Sequence, residues 1–188
     1  MDIKIRNVKK EDLRQVAEIV VNGWKTAYKG IIDDEYLDSL NVEEKYEKRL
    51  KDYEENGFIV AEMNNEIVGF CRYTLDNLFS KQIKEIDGEI CAIYVKPELK
   101  RKGIGRKLFE YVMNEFKNNG NKNVILWCLK ENYPSRVFYE KMGGKICGEN
   151  IIQIGGKEYK EVGFKYIFRW CNRKYKKINK RWIKRSIW

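Results

Sequence analysis

The chain has 188 residues, 43% of them apolar, which is enough for one domain with a substantial core, and its formal net charge is +10. It contains no histidine, which excludes Ser-His-Asp and Cys-His nucleophile systems and removes the usual ligand of catalytic zinc. No apolar run approaches the roughly 18 residues that span a bilayer, and the start of the chain lacks the apolar segment of a signal peptide, so we expect a cytoplasmic protein.

The positive charge is concentrated at the C-terminal end. Residues 169–188 contain nine lysines and arginines and no acid, which leaves 29 basic and 28 acidic residues in residues 1–168. A near-neutral body of this kind does not resemble a general nucleic-acid binder. We therefore divide the chain into one domain, residues 1–168, and a basic tail, residues 169–188.

The tail has apolar residues at helical spacing, Cys171, Tyr175, Ile178 and Trp182. The pattern is typical of an amphipathic basic helix, which could contact an anionic membrane surface, RNA or the ribosome, or an acidic partner. A solvated extension without a partner is the alternative.

The cysteines indicate a reducing compartment. They are odd in number, widely spaced and without a Cys-x-x-Cys pair, so we expect reduced and mostly buried thiols. They are Cys71, Cys91, Cys128, Cys147 and Cys171.

The N-terminal part of the chain begins with a strand and a helix. Apolar and polar residues alternate over 3–8, and apolar residues then recur at helical spacing over 10–22. Residues 23–30 interrupt the helical pattern. Two short helices are predicted next, one from about Asp33 and one after Asn41, which is a favourable N-cap residue.

Strands follow these helices. Residues 58–62 and 66–73 flank Asn64-Asn65, a turn whose asparagines tolerate positive φ, so the segment predicts a hairpin. A further strand is predicted over 88–95. The second half of the chain adds a helix over 103–118, a buried strand over 124–129, a short helix over 134–143, and a hairpin whose strands, 145–154 and 157–168, flank Gly155-Gly156. These elements predict a mixed sheet with helices on its faces.

A basic, glycine-containing turn joins the strand over 90–95 to the helix that follows. Gly103 and Gly105 lie where that helix begins, so unpaired N–H groups and the helix dipole favour a phosphate there, and glycine has no Cβ to obstruct it. The spacing fits neither GxxxxGK(S/T) nor GxGxxG, which disfavours a nucleotide triphosphatase and a dinucleotide-binding sheet. The turn predicts a pyrophosphate site, with an ordinary strand-to-helix connection as the alternative.

Two segments together resemble the GNAT superfamily of N-acetyltransferases. Gly103 and Gly105 match the glycines of its motif Gln/Arg-x-x-Gly-x-Gly/Ala, whereas Lys100 stands at the Gln/Arg position and lacks the planar fork of arginine. Residues 129–143 are similar to the second motif, Asn-x-x-Ala/Ser-x-x-x-Tyr-x-x-x-Gly. The resemblance covers most of residues 1–168. It implies the acyl-CoA N-acyltransferase fold: about seven strands in a mixed, mostly antiparallel twisted sheet with a central parallel pair and helices on both faces.

The resemblance implies acetyl-CoA as the acyl donor and no metal. The turn would lie at the carboxyl end of a parallel strand, where ligands of open α/β sheets bind. By position, the coenzyme would contact Ile93, Tyr94 and Val95 in the strand, Arg101, Lys102, Gly103, Ile104, Gly105 and Arg106 in the turn, and Asn132 and Ser135 in the second segment.

The resemblance also implies two catalytic residues. Tyr139 matches the general-acid position; a tyrosine, with a pKa of about 10, can protonate a departing thiolate while staying neutral itself at neutral pH. Glu89 begins the coenzyme strand where many members of the family place a glutamate, and burial would raise its pKa into the range useful for a base. Glu85 and Asp87 lie nearby, and any of the three is alternatively a solvated charge beside a loop.

The acceptor site is the least defined part of the sequence. The segment after the first helix walls the acceptor pocket in related acetyltransferases, and here it contains Trp24 and Tyr28. These rings could frame a cation that the acids Asp33, Asp34, Glu35 and Asp38 attract, or they could simply belong to the core.

The predicted activity is transfer of an acetyl group from acetyl-CoA to a primary amine, of a small molecule or a protein, by direct attack in a ternary complex. An acyl-CoA sensor with little turnover, and an RNA- or ribosome-associated protein that uses the basic tail, are the alternatives. The oligomeric state is left open, a homodimer included.

Overall fold

The computed structural model describes residues 2–77, 80, 83 and 85–168. Within them, seven strands form one sheet and five α-helices pack against it. The strands are β1 (Lys4–Asn7), β2 (Phe58–Met63), β3 (Glu66–Thr74), β4 (Gly88–Val95), β5 (Asn123–Leu129), β6 (Lys145–Ile154) and β7 (Lys157–Ile167). The helices are α1 (Leu13–Ala27), α2 (Asp34–Ser39), α3 (Val42–Lys51), α4 (Ile104–Asn119) and α5 (Tyr133–Lys141).

The strand order across the sheet is β1-β2-β3-β4-β5-β7-β6. Five of the neighbouring pairs are antiparallel, and the central pair, β4 with β5, is parallel because α4 carries the chain back between them. The predicted mixed, mostly antiparallel sheet of seven strands with a central parallel pair is therefore confirmed.

The sheet has an apolar core on each face. On one face, α4 and α5 bury side chains such as Leu108, Phe116 and Tyr139 against the sheet. On the other face, α1, α2 and α3 cover a second core that contains Val20 and Leu37. Helices therefore lie on both faces, as predicted. We call these the α4–α5 face and the α1–α3 face.

Turn residues explain both hairpins. Asn64 and Asn65 have φ angles of 53° and 62°, and Gly155 and Gly156 have φ angles of 57° and 79°. Positive φ at both central positions is the conformation whose twist matches that of the flanking strands. Both predicted hairpins are confirmed.

The predicted break after residue 22 is wrong. Helix α1 continues through Gly23 to Ala27, so Trp24 lies in its last turns. The reason is packing: a Cβ at Gly23 would lie 3.0 Å from Cδ1 of Tyr94, so glycine lets α1 approach strand β4 closely. Here glycine serves close contact between two elements and does not end the helix.

Other predictions concern the thiols and the tail. Cys71 and Cys128 are buried and Cys91 is half-buried, but Cys147 is exposed on the edge strand β6, so the expectation of burial is wrong for that thiol. All four are free. Cys171 and the basic tail lie outside the described residues. In the described part of the chain, no helix combines the length and apolarity needed to cross a membrane.

Candidate active site

A gap opens between the two parallel strands at the centre of the sheet. β4 and β5 pair through Gly88, Glu89 and Ile90, opposite Val124 to Leu126, and no pair follows. Beyond this point β4 remains paired with β3, and β5 with β7. The diverging strands therefore leave backbone groups without a strand partner on the inner edge of each, inside the sheet and not at its outer edge.

Residues from four parts of the chain line this gap. They are Gly23 and Ala27 of α1 with its C-cap residue Tyr28, residues from Ile90 to Val95 of β4, Leu126, Trp127 and Cys128 of β5, and Asn132, Ser135 and Tyr139 of the second motif. Lys100, which replaces the Gln/Arg of the first motif, lines it as well. The structure thus brings together the strand and second-motif residues predicted to bind the coenzyme, together with the predicted general acid.

The basic turn lies between the end of β4 and the start of α4. Gly103 is the N-cap residue of α4, with φ of 86°, and no side chain in the described residues caps the helix. A Cβ built on Gly103 meets no atom within 4 Å, so the space in front of the helix is open. Arg101 has φ of 62°, which is uncommon for a residue with a side chain. The turn therefore presents first-turn amides and exposed basic side chains to solvent, as an anion site requires.

The individual turn residues play different parts in this arrangement. Arg101, Lys102 and Arg106 are exposed, whereas the side chain of Ile104 is buried in the α4–α5 core, so Ile104 offers only its backbone amide to a ligand. At Gly105 a Cβ would make ordinary contacts of 3.7 Å with Val95 and Phe138. The backbone conformation therefore favours glycine at position 103, while position 105 has room for a methyl group.

Helix α5 is positioned by its own N-cap. Oδ1 of Asn132 accepts a hydrogen bond from the backbone N–H of Ser135 at 3.3 Å, and Pro134 occupies the first turn, where its missing N–H is harmless. The cap fixes the start of the helix that carries Tyr139. Asn132 thus acts on the site through the backbone as well as by lining the gap.

Tyr139 lies in the gap with its ring buried. Its ring packs against Phe138 and Phe164, with centroids 5.4 and 5.6 Å away, and the hydroxyl of Tyr166 donates to its backbone oxygen at 3.2 Å. Burial raises the pKa of Tyr139 well above its ordinary value. The phenol is therefore neutral, and able to donate a proton, throughout the physiological range.

Two further tyrosines meet at the gap from the α1–α3 face. The hydroxyls of Tyr28 and Tyr94 are 3.3 Å apart, and the ring of Tyr28 contacts that of Trp24, with centroids 5.0 Å apart. Burial raises the pKa of Tyr28 well above its ordinary value, and Tyr94 and Tyr139 raise it further. Of the two predicted acceptor residues, Tyr28 therefore lines the gap while Trp24 stands behind it in the core.

Glu89 is buried at the closed end of the gap. Its carboxylate accepts a hydrogen bond from Oγ of Ser80 at 3.0 Å, and Ser80 in turn accepts one from Nε1 of Trp127 at 2.8 Å. Trp127 lines the gap, and Glu89 is the immediate neighbour of Ile90, which also lines it. The carboxylate is thus connected to the gap through one serine and one indole.

The two rival carboxylates have structural partners. Asp87 accepts backbone hydrogen bonds from Lys122 and Asn123 at 2.7 and 2.8 Å, which joins the start of β4 to the start of β5. Glu85 forms an ion pair with Lys165 at 2.5 Å. Asp87 thus joins two strands and Glu85 pairs at the surface, whereas Glu89 is buried beside the gap, which favours Glu89 among the three.

The acidic cluster does not face the gap. Asp33 caps α2 by accepting from the backbone N–H of Tyr36, and it pairs with Lys157 of the β6–β7 hairpin at 2.5 Å. Asp34, Glu35 and Asp38 are exposed. Asp33 therefore holds α2 against the hairpin, and no member of the cluster lies among the residues that line the gap.

The chain is similar in sequence to known proteins. The family model described as acetyltransferase (GNAT) family matches residues 24–144. The chain belongs to the GNAT family. The uncharacterized N-acetyltransferase YuaI of Bacillus subtilis is 32% identical over 162 residues, which is 86% of this chain and 91% of YuaI.

Two matches come from Thermoplasma acidophilum. A spermidine N(1)-acetyltransferase is 31% identical over 151 residues, covering 78% of this chain and 90% of that protein. The crystal structure of the PaiA N-acetyltransferase in complex with coenzyme A superposes with a TM-score of 0.71 and 26% identity, over 89% of this chain and all of that one. The recognition of a GNAT acetyltransferase from its two motifs is thereby confirmed.

Several residues in or beside this GNAT site have no signal in the sequence. Ser80 and Trp127, which form a hydrogen bond, are 47 residues apart. Glu161 of β7 is another buried carboxylate, and it accepts a hydrogen bond from Asn150 at 3.0 Å. Burial is the main cause of the raised pKa of Cys128, and the charge of Glu161 raises it further. No motif joins these residues. Lys100, which also lines the gap, differs from these residues because it stands at the Gln/Arg position of the first motif.

Proposed function

We propose that the chain transfers an acetyl group from acetyl-CoA to a primary amine by direct attack in a ternary complex. The observation that carries the proposal is the lining of one gap by the open inner edge of β4, by Tyr139 and by Lys100 of the basic turn, which leads into the uncapped glycine start of α4. A relative that is named as a spermidine acetyltransferase and a structural neighbour in complex with coenzyme A support the donor and the class of acceptor.

The residues present fit acetyl-CoA. The backbone of Ile93 to Val95 would hold the pantetheine arm along β4. The amides of residues 101–106, with the exposed side chains of Arg101, Lys102 and Arg106, would hold the pyrophosphate. Asn132 and Ser135 would contact the arm from α5. When bound, acetyl-CoA supplies an acyl group already activated as a thioester.

Two side chains would move the protons. As the amine nitrogen bonds to the acyl carbon and the C–S bond breaks, the Tyr139 hydroxyl donates its proton to the departing thiolate. Glu89 receives the proton that the amine loses, through water and the polar groups at the closed end of the gap. The nitrogen must be neutral to attack, and a free alkylammonium has a pKa of about 10, so such a base is useful.

Direct transfer is favoured over a covalent relay through the enzyme. Two thiols, Cys91 and Cys128, line the gap, and burial raises the pKa of Cys128 to about 12. A neutral thiol is a poor nucleophile, because the thiolate is the reactive form, so Cys128 is not suited to a covalent relay. The four described cysteines form no disulfide bond with one another, which suits the cytoplasm, and we retain the cytoplasm as the proposed location.

The test has two measurements on the full chain. Isothermal calorimetry with acetyl-CoA and with coenzyme A measures donor binding, and a thiol-release assay across polyamines, amino acids, aminoglycosides and peptide amines measures transfer. Binding together with thiol release that depends on an amine supports the proposal. Binding without release from any amine would make the chain an acyl-CoA sensor, and absence of binding would overturn both.

A further inference from the structure

Two tyrosine hydroxyls meet in the gap between β4 and β5. Tyr28 and Tyr94 reach the gap from the α1–α3 face, whereas Tyr139 reaches it from the α4–α5 face. The oxygens of Tyr28 and Tyr94 are 3.3 Å apart, and either hydroxyl can donate to the other. We call these two residues the tyrosine pair. Both are half-buried and line the gap, so a molecule in the gap can contact them.

The rings of the tyrosine pair are held by packing. The ring of Tyr94 stacks on that of Phe70 in β3, with centroids 5.5 Å apart and planes inclined by 25°. On its other side Gly23 of α1 lies so close that a Cβ there would be 3.0 Å from Cδ1 of Tyr94. The ring of Tyr28 makes an edge contact with that of Trp24. The fold therefore fixes where the two hydroxyls lie.

The tyrosine pair has hydrogen-bonding capacity that the described residues do not use. Two phenol hydroxyls carry two hydrogens and four lone pairs, and their mutual bond uses one of each. Burial raises the pKa of Tyr94, and hydrogen bonds with Tyr28 and with the indole of Trp24 act in the opposite direction. The indole N–H can only donate, so it occupies a lone pair of the Tyr94 oxygen. Within the part of the chain that the structure describes, neither hydroxyl has a further hydrogen-bond partner. One hydroxyl hydrogen is left for a ligand.

The tyrosine pair lies near the proposed general acid. Burial is the main cause of the raised pKa of Tyr28, and Tyr94 and Tyr139 raise it further, which places Tyr28 within electrostatic reach of Tyr139. Burial raises the pKa of Tyr94 as well. Both members of the pair are therefore neutral at physiological pH, and the unused hydrogen is present there. A molecule whose amine is close to Tyr139 can thus also contact the pair.

We propose that the hydroxyl of Tyr28 donates a hydrogen bond to an oxygen of the acceptor near its reacting amine, and that Tyr94 is a positioning residue that holds this hydroxyl in place. Tyr28 is the member with capacity to spare, because its hydroxyl has one described partner and that of Tyr94 has two. Acceptors are then amines with a nearby oxygen, namely amino alcohols, amino amides or amino acids. The inference rests on the proposed acetyl transfer and adds the class of acceptor.

A polyamine does not fit the tyrosine pair. It has no oxygen, and its charged nitrogens have hydrogens but no lone pair, so the unused hydroxyl hydrogen would remain without an acceptor in a half-buried place, which costs free energy. The acids that could attract a polycation, from Asp33 to Asp38, do not line the gap. The inference therefore departs from the spermidine named for one relative.

The first experiment compares amines that differ in one oxygen, in the thiol-release assay with the full chain. Ethanolamine is paired with propylamine, and glycinamide and glycine are each paired with isobutylamine, so that methyl groups replace the polar atoms at similar size. We expect kcat/KM, calculated on the concentration of neutral amine, to be about tenfold higher for the oxygen-bearing member. Glycinamide and glycine show whether an amide or a carboxylate is preferred. Equal values within all pairs, or a higher value for spermidine, would overturn the inference.

The second experiment removes each hydroxyl of the tyrosine pair, with Tyr53→Phe as the matched control. Tyr53 is another half-buried tyrosine on the α1–α3 face, and its hydroxyl donates to the backbone oxygen of Val8 at 3.3 Å, away from the gap. We expect Tyr28→Phe to raise KM for the oxygen-bearing amine about tenfold and to leave KM for its counterpart within about twofold. Tyr94→Phe should act in the same direction but less, and Tyr53→Phe should change neither value.

The comparison within a pair separates hydrogen bonding from a structural role. Each variant is compared with the wild type on both amines at one pH, so the different pKa values of the amines cancel. Equal losses on both members of a pair would indicate a structural role for the hydroxyls and would contradict the inference. The Kd of acetyl-CoA, measured by calorimetry, should be unchanged in all three variants, which shows that they are folded.

Failure of the inference is distinguishable from failure of the proposed function. If amines cause thiol release but neither the oxygen nor the two hydroxyls matter, the inference is wrong and acetyl transfer stands. If no amine causes thiol release, or acetyl-CoA does not bind, the proposed function fails and the inference fails with it.

Discussion

The two faces of the sheet contribute to the site in different ways. The groups proposed to hold the coenzyme come from three neighbouring segments, the end of β4, the turn before α4 and the start of α5. On the α1–α3 face, the core against which the proposed acceptor residue Tyr28 packs is built from α1, α3, β3 and the β6–β7 hairpin, which are scattered along the chain.

This difference teaches where specificity resides in the molecule. A phosphate site can be built from backbone amides at one helix start, so its requirements are local and leave a motif. The proposed acceptor side is built from side chains that only the folded sheet brings together, such as Tyr28 and Tyr94. We therefore expect residues on the α4–α5 face to determine the reaction and residues on the α1–α3 face to determine which acceptor is used.

Removal of the proposed general acid should have the largest effect. In Tyr139→Phe we expect kcat to fall by about 10²- to 10⁴-fold, because the thiolate then leaves without a proton donor, while the Kd of acetyl-CoA changes little. Thiol-release assays measure kcat, and calorimetry measures the Kd of acetyl-CoA. Because burial raises the pKa of Tyr139, the wild-type enzyme should show no loss of kcat from tyrosine ionisation up to about pH 9.

Tyr133→Phe is the control for this change. Tyr133 is on the same helix, is 59% exposed and donates to Glu131 at the surface, so its loss should leave kcat within about twofold. If Tyr139→Phe kept full activity, this hydroxyl would not be the general acid, and the thiolate would leave without a proton donor.

Neutralising the proposed base should have the next largest effect. We expect Glu89→Gln to lower kcat/KM about a hundredfold near pH 7, where the amine is protonated, and less at pH 9, where more of the amine is already neutral. A pH–rate profile of the wild type and the variant measures how far their values of kcat/KM approach each other as the pH rises. The control is Glu85→Gln, which removes only the ion pair with Lys165. An unaltered profile for Glu89→Gln would shift the base role to another carboxylate, and Glu161 is then the one to test.

Much of the fold could be predicted from the sequence because its signals are local. The asparagines at positions 64 and 65 and the glycines at 155 and 156 specify their turns whatever the rest of the chain does. The start of α4 is equally local, since a strand, a glycine in positive φ and a helical repeat follow one another directly. The two segments that resemble the family are of this kind.

The acceptor side could not be predicted in the same way. Gly23 is a residue type that often ends a helix, but α1 continues through it because the ring of Tyr94, 71 positions later, packs against it. The acidic residues from Asp33 to Asp38 are typical of a cation-binding site, but Asp33 caps α2 and forms an ion pair with Lys157 of the hairpin. In both cases a tertiary contact overrides a local pattern.

A pair of glycine substitutions compares the coenzyme turn with an equivalent turn elsewhere. Gly103 and Gly120 flank α4, both with φ of 86° and both with open space where a Cβ would lie. Each change to alanine should therefore cost about 1 kcal/mol of stability from the same backbone strain. Only Gly103→Ala should also weaken acetyl-CoA, by about tenfold, because it alone alters the amides of the proposed anion site. Thermal melts and calorimetry on both variants test this, and equal affinities would mean that the pyrophosphate lies elsewhere.

Two helix caps give the smallest and most discriminating comparison of the two faces. Asn132 caps α5 on the α4–α5 face, and Asn41 caps α3 on the α1–α3 face by accepting from Glu43 N–H at 2.7 Å. Replacement of either by alanine should cost about 1 kcal/mol, because each leaves first-turn amides without a side-chain acceptor. Their kinetic effects should differ. Asn132→Ala loosens the helix that carries Tyr139 and should lower kcat severalfold, whereas Asn41→Ala loosens a helix that contributes no residue to the lining of the gap and should leave kcat within about twofold. If Asn41→Ala lowered kcat as much as Asn132→Ala does, the loss would reflect general destabilisation and not the position of Tyr139.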